Sequence, residues 1–216
     1  QNFEDVELDA ANAHAPTVNN SVGHYQRNFK ISENWDGRQV FVSFQGVESA
    51  FYVYVNGQKV GYGEDSYTAD EYNITPYLNT DANGSIAGQE NTISVQVYRW
   101  STGSYLENQD FIRMSGIFRD VYLYSKDTVE LRDFFIKQQL DENNEDATLT
   151  IDASVRNLAN EKGGDYTVEA QLYSNENDDP ILEEPIKMEY TLDPAKEDLE
   201  ELIDDLGIEK TGSAKV

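Results

Sequence analysis

The sequence predicts an all-β protein built from two successive β-sandwiches, and three observations lead to that prediction. Short alternations of apolar and polar residues recur along the chain, for example over residues 51–55 and 92–97, as is typical of strands with one buried face. Asn56-Gly57 ends one such run and indicates a type I′ hairpin, because both central residues of that turn need a positive φ. A change in composition near Lys126-Asp127 separates the strands into two sets.

The first predicted domain covers residues 1–127. Residues 1–22 are expected to be irregular, and strands are expected from Tyr25 onward, including residues 40–44, 51–55, 92–97 and 117–124. The run over residues 40–44 does not alternate strictly, which predicts that both of its faces are covered. Many short strands separated by turns indicate a β-sandwich or a barrel.

The second predicted domain covers residues 128–216 and resembles an immunoglobulin-like sandwich. Strands are expected over residues 130–139, 149–155 and 167–172, and the strand count of about four falls short of the roughly seven that such a domain needs. We therefore expect a truncated or interrupted sandwich. Asp193 and Pro194 suit a helix start and Gly207 a helix end, which predicts a short C-terminal helix followed by a loose tail over residues 209–216.

Composition and charge exclude several classes of function. The 216 residues include 41 acidic and 16 basic side chains, and the net charge of -25 repels nucleic acids and anionic membranes. Cysteine is absent from the sequence, which excludes disulfides and cysteine–metal sites. The sequence contains neither a long apolar run nor a secretory signal pattern, so we expect no membrane span and no signal peptide.

Charged side chains in and around residues 99–120 are the candidates for a functional role, because functional groups concentrate on loops held by strands. The carboxylate candidates are Glu64, Asp65, Asp70, Glu71, Glu107 and Asp110. The first four are expected to be solvated acids with local caps, whereas Asp110 lies in a ring-rich, arginine-bearing segment. Arg99, Arg113 and Arg119 are expected to pair with nearby carboxylates and fix the loop.

The remaining side chains that could carry chemistry are aromatic or imidazole groups. Trp35 and Trp100 could stack on a sugar ring, but packing against strands is the commoner role and the one we expect. His14 and His24 are the two histidines of the sequence, and without a third ligand they exclude a zinc site. A calcium site stays open, because acidic loops and carbonyl groups suffice for it.

Several motifs in one order carry a resemblance to a known family. Residues 19–25 resemble an Asn-Pro-Val-Gly-x-Tyr segment, residues 44–51 and 55–62 resemble FxGVxSAF and VNG…VGY, and residues 65–72 resemble DS…EF. Residues 99–121, RWSTGSYLENQDFIRMSGIFRDV, are similar to a sugar-site loop. Over residues 16–135 the chain thus resembles the glycoside hydrolase family 2 β-galactosidases. It departs from them at Ser21, Thr102 and Ile112, where the family has Pro, Asp and Trp.

The resemblance implies a jelly-roll, galactose-binding-like sugar-binding domain, then an immunoglobulin-like domain, then a TIM barrel with two catalytic glutamates. It implies that Asn20 hydrogen-bonds the galactosyl unit, although an alignment shifted by one residue would assign this contact to Asn19. It also implies that Asp110 holds a galactosyl hydroxyl and helps to ligate sodium. Sodium and magnesium are implied for the full enzyme. No catalytic residue is expected within these 216 residues, so the chain alone is expected to be inactive.

Three functions stay open on the sequence: a non-catalytic part of a β-galactosidase, an autonomous carbohydrate-binding module, and a surface adhesion module. The sequence of residues 102–110 favours a β-galactosidase over a β-glucuronidase or β-mannosidase as the parent protein. The expected partners are a galactosyl-containing saccharide and the TIM-barrel domain, and the sequence leaves a homo-oligomer open. The acidity and the lack of cysteine favour a secreted or cell-surface bacterial protein over a cytoplasmic one.

Overall fold

The structure, a computed structural model, describes residues 14–105, 107, 113–158 and 163–193, together with the backbone of Ile208–Lys215. Over these residues the chain is all-β, as predicted, with short 3-10 turns at Glu33–Trp35, Thr75–Tyr77 and Gly103–Tyr105. The chain divides into two compact units between Ser125 and Lys126. Among the described residues no helix is long and apolar enough to cross a membrane.

The first unit consists of two packed sheets with a short strand pair beside them. Its strands are β1 (Val22–Lys30), β2 (Gln39–Phe44), β3 (Val47–Glu48), β4 (Ala50–Val55), β5 (Gln58–Glu64), β6 (Asp70–Asn73), β7 (Glu90–Tyr98), β8 (Gly116–Ile117) and β9 (Val121–Lys126). One sheet has the order β1-β7-β4-β5, the other has the order β6-β2-β9, and β3 pairs with β8. β4 and β5 pair across the turn at Asn56-Gly57, while β1 and β4 both pair antiparallel with the distant β7.

The core of the first unit lies between the two sheets. Val53 and Val55 on β4 and Val95 on β7 face Val42 and Phe44 on β2, and each is at most 5% exposed. Each fully buried side chain of this size stabilises the fold by about 1.5–3 kcal/mol. Phe41 and Ser43, which alternate with Val42 and Phe44 along β2 and point to its other face, are buried as well. The prediction that both faces of this strand are covered is therefore confirmed.

The hairpin predicted at Asn56-Gly57 is confirmed. The two residues have φ values of 50° and 80°, and Val55 pairs with Gln58 across the turn. The second strand of this hairpin, β5, contains Gly61, and a Cβ atom there would lie 2.2 Å from the ring of Tyr72. A glycine is required at this position because the neighbouring strand brings an aromatic ring against the backbone.

Two strand boundaries in the first unit differ from the predicted ones. The first strand begins at Val22 rather than Tyr25, because the ladder to β7 extends to the pair Val22–Tyr98. The continuous strand predicted over residues 117–124 is wrong, since β8 and β9 are separated by residues 118–120. Ile117 pairs with Val47 whereas β9 joins the sheet of β2, so the chain must turn between two partners.

The second unit contains two further sheets around its own core. Its strands are β10 (Val129–Leu140), β11 (Ala147–Asn157), β12 (Gly164–Ala170), β13 (Ile186–Leu192) and β14 (Ile208–Lys215). The sheets have the orders β10-β11-β14 and β12-β13, and Ile151, Val155 and Tyr190 are buried between them. The hydroxyl of Tyr190 donates to the carbonyl of Ala153 at 2.8 Å.

The C-terminal part of the second unit differs from the expectation where the structure describes it. The prediction of a loose tail over residues 209–216 is wrong, because β14 pairs with β11 from Ile208↔Val155 to Lys215↔Thr148. The physical reason is that the second edge of β11 presents N–H and C=O groups that another strand can satisfy. The predicted short helix falls on residues 194–207, which lie outside the described residues.

Candidate functional site

The loop that leaves β7 at Tyr98 and returns at β8 is anchored by the side chain of Asn20. The Nδ2 atom of Asn20 donates to the carbonyl of Trp100 at 2.9 Å, and the amide of Trp100 donates to Oδ1 of Asn20 at 3.0 Å. The amide of Arg99 donates to the carbonyl of Ser21 at 3.0 Å. Residues that are 80 positions apart in sequence therefore meet at the start of the loop.

The Asn20 amide keeps capacity for further hydrogen bonds. A primary amide carries two N–H donors and an oxygen with two lone pairs, and Trp100 uses one donor and one lone pair. Asn20 is partly buried, whereas its neighbour Asn19 is exposed and has a left-handed φ of 60°. Of the two neighbours, Asn20 contacts the loop through its side chain.

The ring of Trp100 is buried at 3% exposure, which confirms that it packs within the fold. The guanidinium carbons of Arg99 and Arg113 lie 5.2 Å and 5.8 Å from its centroid, within the range of cation–π attraction. Trp35 is partly buried and packs against the core of the first unit. The Trp100 ring therefore connects the two arms of the loop. The first arm, residues 99–105 and 107, leaves β7, and the second arm, residues 113–115, leads into β8.

Carboxylates from β5 and from the loop itself fix the first arm. Glu64 accepts hydrogen bonds from the Thr102 hydroxyl at 2.8 Å and from the amide of Gly103 at 3.2 Å. Glu107 accepts from the amide and the hydroxyl of the fully buried Ser66, both at 2.8 Å. Glu64 is therefore part of the loop support rather than a solvated acid with a local cap.

Glu48 on β3 fixes the second arm. Its carboxylate is buried and accepts hydrogen bonds from the amides of Met114 and Ser115 at 3.1 Å and 2.8 Å. The Nη1 atom of Arg113 lies 3.8 Å from the same carboxylate, while its Nη2 atom donates to the carbonyls of Ser104 and Glu107. Sequence reasoning missed Glu48; the signal was a carboxylate in the run from Val47 to Phe51, whose other residues are apolar or small.

Backbone carbonyls accept hydrogen bonds from the guanidinium groups of Arg113 and Arg119. Arg119 donates to the carbonyls of Gln45 and Tyr67 at 3.2 Å and 3.0 Å. Loop carbonyls lack the partners that a strand ladder provides, so a guanidinium with five donors satisfies them well. Arg113 also forms an ion pair with Glu48.

The other predicted carboxylates fall into two environments. Asp65 caps its own turn by accepting from the amide of Tyr67 and the hydroxyl of Thr68, as expected of a local cap, and these bonds lower its pKa. Asp70 is partly buried against Gly63, and burial, together with the charge of Asp65, raises its pKa to about 6. Asp110 and Ile112 lie outside the described residues.

The described residues of this loop do not contain a cluster of side chains that could bind a metal ion. Over residues 14–105, 107, 113–158 and 163–193, no group of three or more His, Asp or Glu side chains could hold a metal ion. His14 and His24 are both exposed. Where the structure describes it, the loop presents hydrogen-bonding and aromatic groups.

Comparisons with known proteins point to one family. Residues 5–127 match the family model of the glycosyl hydrolases family 2 sugar binding domain. A β-galactosidase of Priestia megaterium is 49% identical over 173 residues, covering 80% of this chain and 16% of the relative. A β-galactosidase of Clostridium acetobutylicum is 40% identical over 181 residues, covering 83% of this chain and 19% of the relative. The chain spans about a sixth to a fifth of the length of these relatives.

Solved structures show a similar fold. A calcium-binding mutant of a β-glucuronidase of Bacteroides uniformis aligns with a TM-score of 0.70 over 95% of this chain and 23% of that protein, at 24% sequence identity. At this identity the similarity supports the fold alone.

Proposed function

The chain belongs to glycoside hydrolase family 2, and from this premise we propose that it is the non-catalytic sugar-binding part of a β-galactosidase. In this proposal a jelly-roll domain over residues 1–127 and an immunoglobulin-like domain over residues 128–216 precede a catalytic TIM barrel. The whole enzyme removes terminal β-galactosyl groups with retention, through a covalent glycosyl-enzyme intermediate. Its two catalytic carboxylates come from the barrel, and this chain supplies one wall of the site.

The observation that carries the proposal is the attachment of the Asn20 amide to the backbone of Trp100. This contact holds Asn20 at the start of the loop in which Asp110 stands ten positions further along the sequence. The remaining donor and lone pair of the amide suit a sugar hydroxyl, which both donates and accepts. An ionised carboxylate at position 110 accepts from hydroxyl groups, so the pair matches the chemistry of a galactosyl unit.

Sodium at Asp110 is part of the same proposal. A single carboxylate supplies at most two oxygen ligands, whereas a hard cation takes six or more, so the catalytic domain would provide the others. The bound cation would orient a galactosyl hydroxyl, and Asp110 would hold both.

The direct test uses the full-length enzyme that contains this chain. We expect Asn20→Ala to raise the KM for o-nitrophenyl β-D-galactopyranoside about tenfold, the equivalent of one lost hydrogen bond of about 1.4 kcal/mol. Asn19→Gly is the matched control, because it removes the exposed neighbouring amide and keeps the left-handed backbone favourable. The purified chain should show no turnover. Turnover by the chain alone, or an unchanged KM in Asn20→Ala, contradicts the proposal.

An autonomous carbohydrate-binding module is the second candidate, and one observation favours it. Three tyrosines form a ring cluster on β4, β5 and β7, with Tyr52 4.7 Å from Tyr62 and 5.9 Å from Tyr98, centroid to centroid. Tyr62 is 43% exposed, and exposed rings suit stacking on sugar faces. The affinity of the isolated chain for galactose separates this candidate from the first.

A further inference from the structure

We infer that Glu48 is a positioning residue for the sugar site, and that it acts on Asn20 through Arg113 and Trp100. The inference rests on the proposed function, since it concerns how the Asn20 amide is held. Glu48 lies on β3, and none of its polar contacts is to Asn20 itself. Its influence therefore has to pass through the loop.

The first step is the environment of the Glu48 carboxylate. The residue is 5% exposed, and burying a charge is costly unless hydrogen bonds and an opposite charge compensate. Oε2 accepts from the consecutive amides of Met114 and Ser115, and Oε1 faces Arg113. Ser115 has a φ of 59°, a backbone conformation that turns the chain toward β8. The carboxylate therefore fixes the second arm of the loop at three consecutive residues.

The second step is the guanidinium of Arg113, which spans the loop. One nitrogen faces Glu48, and the other donates to the carbonyls of Ser104 and Glu107 in the first arm. The Arg113 side chain is 10% exposed and lies against the ring of Trp100. Arg113 thus transmits the position fixed by Glu48 to the first arm and to the Trp100 ring.

The third step is the backbone of Trp100. Its amide and carbonyl hold both polar atoms of the Asn20 side chain, so the orientation of the amide depends on the position of Trp100. If Glu48 loses its charge, Arg113 loses one carboxylate partner and its position against the Trp100 ring is less firmly fixed. The amide of Asn20 then points less uniformly toward a ligand.

The inference is tested first in the full-length enzyme with Glu48→Gln, which keeps the size of the side chain and removes its charge. We expect a three- to tenfold rise in KM for o-nitrophenyl β-D-galactopyranoside with kcat changed less than twofold, because ground-state and transition-state binding weaken equally. Glu48→Asp should fall between Glu48→Gln and wild type. Glu90→Gln is the matched control, since Glu90 is an exposed strand residue of the same unit.

A second measurement separates positioning from general stability. In the 216-residue chain, Glu48→Gln should speed hydrogen exchange at the amides of Trp100, Met114 and Ser115 about tenfold and leave the core amides of Val53 and Val95 unchanged. Uniform acceleration, or unchanged exchange at Trp100, overturns the inference even if KM rises.

The two proposals fail in distinguishable ways. If Asn20→Ala leaves KM unchanged, the proposed function fails whatever Glu48 does. If Asn20→Ala raises KM and Glu48→Gln does not, the positioning role of Glu48 alone is overturned.

Discussion

At the scale of single residues, buried polar side chains determine how this domain holds its loops. Asn20 binds both backbone groups of Trp100, and Asn91, which is 1% exposed, accepts from the Asn56 side chain and the amide of Asn79. Each contact satisfies a loop backbone or side-chain group that no strand ladder reaches, and leaving such a group unpaired costs about 1–3 kcal/mol.

The role of Asn20 in stability can be measured in the chain itself. Asn20→Ala should lower the free energy of unfolding of the first unit by about 1–3 kcal/mol, because the partly buried amide and carbonyl of Trp100 lose their partner. Urea denaturation followed by tryptophan fluorescence reports on this unit, since Trp35 and Trp100 are the two tryptophans of the sequence. Asn19→Gly should change the value by less than about 0.5 kcal/mol. Equal effects of the two variants would refute the structural role of Asn20.

Asp70 should make stability depend on pH. Burial, and then the charge of Asp65, raises its pKa from 3.8 to about 6, so folding favours the protonated carboxyl. The stabilising contribution is complete below about pH 3.8 and is lost as the pH rises through about 6. Relative to wild type, Asp70→Asn should therefore gain stability between pH 4 and 7, by about 1 kcal/mol once solvent screening is allowed for.

Asp81→Asn provides a control of opposite sign. Hydrogen bonds from the amides of Ser85 and Asn83 lower the pKa of Asp81, so its contribution is present above about pH 3.8 and is lost as the pH falls through the lower, folded value. Urea denaturation of both variants across pH 3–7 tests the pair. For each variant, the free energy of unfolding relative to wild type is plotted against pH. The same direction of change for Asp70→Asn and Asp81→Asn would contradict the opposite pKa shifts described for the two carboxyl groups.

At the scale of elements, periodicity predicts strands and fails where a strand changes its partner. Residues 51–55 and 92–97 were predictable because alternating side chains indicate a strand with one buried face, and residues 40–44 because a short apolar run indicates a strand covered on both faces. The break at residues 118–120 was not predicted, although the charged residues Arg119 and Asp120 interrupt the apolar run there, because the sequence does not show that β8 and β9 join different sheets. The hairpin at Asn56-Gly57 implied a strand after the turn, but the reason for its glycines was not predictable, because Gly61 and Gly63 face the Tyr72 ring and the Asp70 carboxylate of another strand.

The contact between β5 and β6 can be tested through Gly61. Gly61→Ala should destabilise the first unit by about 1–3 kcal/mol, because its Cβ atom would lie 2.2 Å from the Tyr72 ring. Tyr72 packs edge-on against Phe44 and Phe51, so the ring has little room to move. In a Tyr72→Leu background the cost should fall, and a double-mutant cycle measures the difference. Additive effects would show that the ring is not the obstacle.

At the scale of the whole molecule, each of the two units has a core of its own, while the loop that concerns function belongs to the first unit. Sequence motifs identified this loop and its family, since Arg99 to Val121 follow a distinctive order. They did not identify the carboxylate of Glu48 or the attachment of Asn20 to Trp100, because these contacts join positions that are 66 to 80 residues apart. Such contacts depend on the packing of strands, which local patterns do not encode.

The most direct test of the account is a titration of galactose into the purified chain, monitored by NMR at the Asn20 side-chain amide, beside the same titration of the full-length enzyme. The purified chain supplies only part of the site, so it should bind galactose with a Kd weaker than about 1 mM, which corresponds to a binding free energy of less than about 4 kcal/mol. The full-length enzyme should bind galactose more tightly. Micromolar binding by the chain alone, with the shifts centred on Tyr52 and Tyr62 rather than Asn20, would contradict it.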